Sequence, residues 1–125
     1  MIITKESINQ YLKDIKKLIT EQKYVIDARD KNDEIYDEYL LSKEKSEQIL
    51  LSLTADDFSE IVRYKNKKGE YVPHYVFGKE VIMTPRYRMR DEKVSLYIKF
   101  NKRDDMFVVV VSFHEEEYPI IYYFK

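Results

Sequence analysis

Residues 94–100 read Val-Ser-Leu-Tyr-Ile-Lys-Phe, and residues 106–114 read Met-Phe-Val-Val-Val-Val-Ser-Phe-His. The first stretch alternates strictly. Val94, Leu96, Ile98 and Phe100 point one way and Ser95, Tyr97 and Lys99 the other, the period of a strand with one buried face. The second stretch is apolar at consecutive positions through Val108–Val111, as expected of an inner strand covered on both sides. Asn101–Asp105 between them is polar and short enough for a hairpin turn. An antiparallel pair over residues 94–114 is therefore the nucleus of the fold.

Working outward, the strand-like pattern reaches back to Tyr64. Asn66-Lys67-Lys68-Gly69 is a turn between strands, and Tyr71–Phe77 is extended, with Pro73 arguing for a sheet edge because proline cannot donate to the ladder. Gly78 and Pro85 delimit two further stretches, Glu80–Met83 and Arg86–Arg90, and Ile120–Phe124 reads as a last strand. Before Val62 the period is helical. Ile8, Tyr11, Leu12, Ile15, Leu18 and Ile19 form one apolar stripe over about residues 5–22, with Thr4 or Ser7 as cap and Ser7/Gln10 as a capping box. Tyr24–Ile26 suits a short strand, residues 34–41 a helix, and Ser42 caps another. A short helix is expected through Phe58 and Ile61. The fold class is α+β: N-terminal helices packed on a twisted, mainly antiparallel β-sheet, as one domain over residues 1–125.

Composition limits the function classes. A chain of 125 residues buries roughly two-thirds of its unfolded surface, enough for one self-sufficient core. It has no cysteine, which removes disulfides and thiolate metal sites, and two glycines, too few for a phosphate-binding glycine loop. The start Met-Ile-Ile-Thr-Lys-Glu lacks the basic and apolar regions of a signal peptide, and no apolar run is long enough to span a bilayer. A cytoplasmic protein with no membrane partner is the expectation. The net charge of −1 is unevenly spread: residues 1–60 hold 9 Lys/Arg against 14 Asp/Glu, and residues 61–103 hold 12 against 4. A basic sheet beside acidic helices either attracts a phosphate polymer or shields strand edges.

His74 and His114 stand 40 residues apart, without the spacing of a zinc motif, and no cofactor signature is present. Tyr97 and Lys99 share a strand face, and His114 ends the neighbouring strand. Arg86, Arg88 and Arg90 would share a face of their own predicted strand. A ribonuclease working without metal needs a base for the ribose 2′-hydroxyl, an acid for the leaving oxygen and cations for the phosphorane. Tyr, His, Lys and Arg supply those roles, and exposed tyrosines stack on unpaired bases. Each residue also has a plainer role: Tyr97 as a packed strand tyrosine, Lys99 as a solvent-facing lysine, His114 as a hydrogen-bonded structural residue, and the arginines as an edge shield.

Four stretches taken together resemble the MqsR family of mRNA-interferase toxins. They are Leu53-Thr54-Ala55-Asp56-Asp57-Phe58, His74-Tyr75-Val76-Phe77, Leu96-Tyr97-Ile98-Lys99-Phe100 and Val111-Ser112-Phe113-His114-Glu115. Ile15-Lys16-Lys17-Leu18-Ile19 also matches that family's opening helix. The resemblance implies a RelE-like ribonuclease fold and metal-independent endonucleolytic cleavage of single-stranded mRNA. It also implies a cognate antitoxin protein as partner. It places Tyr97, Lys99 and His114 in the catalytic roles; the reading of the residues themselves adds Tyr75, Arg86 and Arg88 as those expected to hold substrate. Ser59 and Glu60 stand where the family has a basic residue after its Asp-Phe pair, and the chain runs on through Tyr118–Lys125. The competing reading is a non-catalytic nucleic-acid- or protein-binding regulator from a phage or mobile element.

Overall fold

In the computed structural model, which describes residues 2–125, the apolar stripe at the N-terminus forms α1 (Lys5–Thr20). Its cap is Thr4, whose hydroxyl accepts from the Ser7 amide at 3.1 Å while the Ser7 hydroxyl accepts from the Thr4 amide at 3.2 Å. The capping box is therefore Thr4/Ser7, one turn earlier than Ser7/Gln10. After α1 come β1 (Tyr24–Ile26), α2 (Asp30–Glu38) and α3 (Lys43–Leu51), the last capped by Ser42. β2 (Phe58–Lys65), β3 (Tyr71–Met83), β4 (Glu92–Arg103) and β5 (Phe107–Glu115) complete the fold.

The five strands form one mixed sheet in the order β1-β5-β4-β3-β2. β1 runs parallel to β5, with Val25 opposite Val109, and the other three pairings are antiparallel. The alternating stretch is β4, and its apolar residues Val94, Leu96, Ile98 and Phe100 pack with Phe77, Val108, Val110 and Phe113 against the apolar residues of α1 and α3. This α+β architecture matches the expected fold class. No described helix is long and apolar enough to cross a membrane.

Several expectations need correction. The helix expected through Phe58 and Ile61 is a single 3₁₀ turn, Ala55–Asp57, after which Phe58 already begins β2. The capping hydroxyl and two carboxylates of Thr54–Asp57 do start a helical turn, but Ile61 and Val62 are β-branched and continue as strand. Tyr71–Met83 is one strand through Gly78, and β3 lies inside the sheet. Pro73 is tolerated because β3 pairs with β4 only from Tyr75 onward, which leaves Pro73 with β2 as its sole neighbour. Arg86–Arg90 is a turn, and Ile120–Phe124 is irregular.

Two contacts shape the far side of the sheet. Beyond the end of β1, the exposed edge of β5 is taken over by the buried side chain of Asn32. Its amide donates to the Val111 carbonyl at 3.1 Å and its oxygen accepts from the Phe113 amide at 2.8 Å. Asn32 thus substitutes for a strand beside the bulge at Val111. The chain after β5 crosses the sheet face opposite the helices. There the Ser59 hydroxyl donates to the Ile121 carbonyl at 2.7 Å and the Tyr123 amide to the Phe58 carbonyl at 3.0 Å. Gly78 makes the crossing possible: a Cβ there would lie 2.6 Å from the Tyr122 hydroxyl and 2.8 Å from Ile120 Cδ1.

Candidate functional site

The register of β4 against β5 sets Tyr97 directly opposite His114 and Lys99 opposite Ser112, all on the face away from the helices. The Tyr97 and His114 rings are nearly parallel at 17°, with centroids 5.4 Å apart. The His114 Nδ1 lies 2.8 Å from the Glu115 carbonyl oxygen. A carbonyl only accepts, so Nδ1 carries a proton and the neutral ring offers Nε2 as its basic atom.

Lys99 is not the solvent-facing lysine that alternation alone suggests: it is 7% exposed. Its ammonium donates to the Tyr64 hydroxyl at 2.8 Å and sits 4.8 Å from the Tyr64 ring centroid and 5.9 Å from that of Tyr97. Among the described residues no carboxylate forms an ion pair with it. A buried ammonium held only by a phenol and two ring faces is a standing attraction for an anion.

These residues floor a cleft of about 430 Å³, within the range of small-ligand sites. One wall is the crossing segment Tyr118–Ile121, and Arg29 and Lys31 stand at the rim. Glu60 and Glu117 also line it. Glu117 is drawn to Lys31, which holds its carboxyl below the usual range, and Arg29 pairs with Asp27 at 3.3 Å. Burial, then Tyr64, Glu60 and Glu117, push the Tyr97 hydroxyl above its ordinary value. Tyr97 is therefore a neutral phenol at any cellular pH, able to give a proton rather than take one.

The structure brings together Tyr97, Lys99 and His114 and keeps the other three expected residues away. Tyr75 pairs with Phe100 and so points to the helix side, where its ring stacks on Tyr11 at 3.7 Å. The one-residue offset from His74 reverses its face. Arg86 and Arg88 belong to the turn before β4. There Arg86 donates to the Tyr36 carbonyl at 2.8 Å, and Arg88 is paired with Glu38 at 3.3 Å and Glu92 at 2.7 Å. Pro85, bridged to Tyr39, starts this turn, so the alternating arginines have no strand to share.

Sequence reasoning missed Tyr64, Arg29 and Lys31. The alternation Glu60, Val62, Tyr64 along β2 carried a signal for Tyr64. Nothing local marks Arg29 or Lys31, which arrive from the start of α2. No three described His, Asp or Glu side chains are grouped to hold a metal ion. No protein family, no curated protein and no solved structure matches this chain.

Proposed function

We propose that this chain is a metal-independent endoribonuclease that cleaves single-stranded mRNA. We further propose that it works as the toxin of a toxin–antitoxin pair of the MqsR kind, in the cytoplasm, where a cognate antitoxin protein neutralises it. The observation that carries the reading is the convergence of Tyr97, Lys99 and His114 on one cleft, from two strands and without a competing carboxylate on Lys99 among the described residues.

The proposed chemistry uses the free Nε2 of His114 and the protonated phenol of Tyr97. Nε2 of neutral His114 takes the proton of a ribose 2′-hydroxyl, whose oxygen attacks the adjacent phosphorus. Charge gathers on the non-bridging oxygens of the phosphorane, where Lys99 stabilises it from the cleft floor. The Tyr97 phenol gives its proton to the departing 5′-oxygen, so a 2′,3′-cyclic phosphate and a 5′-hydroxyl result. Proton transfer back from His114 restores the phenol. Burial of Tyr97 and Lys99 strengthens each of these interactions by thinning the water around them.

Purified protein incubated with a long single-stranded RNA in EDTA tests the proposal. Discrete fragments ending in cyclic phosphate are expected. His114→Ala and Tyr97→Phe are each expected to slow cleavage by about 10²-fold or more, the scale of one acid–base group. Unchanged rates in both variants overturn the site. RNA bound but left intact points instead to a non-catalytic nucleic-acid-binding regulator.

A further inference from the structure

The face that carries Tyr97 and Lys99 continues along β4. Asn101 and Arg103 follow at two-residue steps, so they project to the same side. His74 and Tyr64 reach that side from β3 and β2, where His74 pairs with Val62 and Tyr64 with Val72. Together with Lys65 and Val72 they line a second cleft of about 240 Å³.

Three observations mark this cleft as more than a surface dimple. First, His74 Nδ1 and Asn101 Oδ1 are both buried, and neither has a hydrogen-bond partner among the described residues. Such orphans are uncommon, and here two of them line one hollow. Second, Arg103 makes no ion pair among the described residues; Lys65 lines the cleft, but its ammonium lies toward the Tyr71 ring, at 5.9 Å, on the other face. The adjacent turn adds Lys67 and Lys68. Of the nearby carboxylates, Asp105 is engaged by Lys102, while Glu70 and Asp104, which caps the Met106 amide, oppose these cations. Third, Tyr64 connects the two clefts: its hydroxyl accepts from Lys99, and its half-exposed ring lies 4.5 Å from the His74 ring.

We propose that this second cleft is a nucleotide-binding subsite. It would hold the stretch of single-stranded RNA that flanks the scissile phosphate, so that the strand lies along β4 from Tyr97 toward Arg103. The inference rests on the reading of the first cleft as an RNA-cleaving site. A two-residue step along a strand is about 6.6 Å, comparable with the reach of one extended nucleotide, so Lys99, Asn101 and Arg103 repeat at nucleotide pitch. Arg103 meets a phosphate, the Tyr64 ring stacks on a base, and Asn101 and His74 meet a base edge. Charge also fixes the direction. On the other side of His114 lies a hollow where Lys31 is taken up by Glu117 and Glu34, Glu38 and Glu115 remain, a net negative lining that disfavours a phosphate chain.

The test is binding of dye-labelled 2′-O-methyl oligonucleotides, whose blocked 2′-oxygen cannot attack, followed by fluorescence anisotropy. A hexamer is expected to bind the wild type at least tenfold more tightly than a dimer. Arg103→Ala should remove most of that advantage and lower the steepness of the salt dependence by about 0.7 for the phosphate left without its cation. Arg103→Lys should keep the slope. Equal affinity for hexamer and dimer, no binding of the hexamer, or an unchanged salt slope in Arg103→Ala each overturns the subsite. The two readings fail separately. Hexamer binding that needs Arg103, beside RNA left intact in EDTA, keeps the subsite and removes the nuclease. Cleavage that ignores Arg103 does the reverse.

Discussion

Leu96, Ile98 and Phe100 alternate along one strand with Tyr97, Lys99 and Asn101, yet the two sets belong to different chemical environments. The first set is wholly buried beneath helices, and its role is to lose water. The second faces an open cleft, where an ammonium lacks a carboxylate and a phenol is held protonated. The contrast shows how a small domain divides its work. The helix-covered face supplies the stability that lets the other face keep groups in unfavourable surroundings. Polar groups without partners, costly anywhere, recur on the open face, at Asn101 and His74.

The sharpest way to break this comparison is to damage each face in turn. Phe100→Ala removes a fully buried ring and should cost about 3–5 kcal/mol in urea unfolding, with cleavage by the folded fraction retained. Tyr97→Phe, its counterpart, should leave stability within about 0.5 kcal/mol while cleavage falls. A cost below ~1 kcal/mol for Phe100→Ala would mean that the helix face is not a close-packed core.

A smaller effect is expected where the chain crosses the open face. The atoms nearest a Cβ at Gly78 are the tips of Tyr122 and Ile120, so Gly78→Ala should displace the crossing segment rather than the sheet. The expected loss is about 1–2 kcal/mol, with weaker RNA cleavage because Tyr118–Ile121 walls the cleft. Adding Tyr122→Ala should recover part of the loss in a double-mutant cycle, since the two sites touch. Strictly additive losses would show that the segment does not rest on Gly78.

How much of this was legible in the sequence varied with the range of the interaction. Period-two alternation is local, so β4 and its two faces were readable, as was the helical stripe of α1. The meeting of Tyr97 with His114 was legible only in part: the short turn sets Arg103 opposite Phe107, a register that would bring Phe113 to Tyr97, and the bulge at Val111 is what moves His114 there. Arg86 and Arg88 misled because alternation in a turn looks like alternation in a strand. What decides between them is the long-range bridge from Tyr39 to Pro85. Tyr75 misled through a one-residue offset that alternation does not anchor beside a proline. Arg29, Lys31 and the strap over Gly78 depend on where separate elements meet, which no local pattern encodes.

The smallest effect tests whether the helix-covered face is as free of useful polarity as the comparison requires. Tyr11, stacked on Tyr75, has a buried hydroxyl with no partner among the described residues. Tyr11→Phe should therefore be neutral or stabilising, by less than about 1 kcal/mol, since no bond is broken. The hydroxyl also carries a pH signature. Burial, then Tyr75, raise its pKa above the ordinary tyrosine value, and burial followed by Glu115 and Glu92 pushes Tyr39 up to about 12. Below about pH 10 both folded and unfolded chains hold these protons, so they impose no pH dependence. Above it the unfolded chain releases them first, and stability falls as pH rises. Urea midpoints of the wild type should thus be level between about pH 8 and pH 10 and decline beyond, and Tyr11→Phe should decline less steeply. A variant that is weaker at neutral pH and declines just as steeply would mean that the Tyr11 hydroxyl is bonded after all, and that the covered face also does polar work.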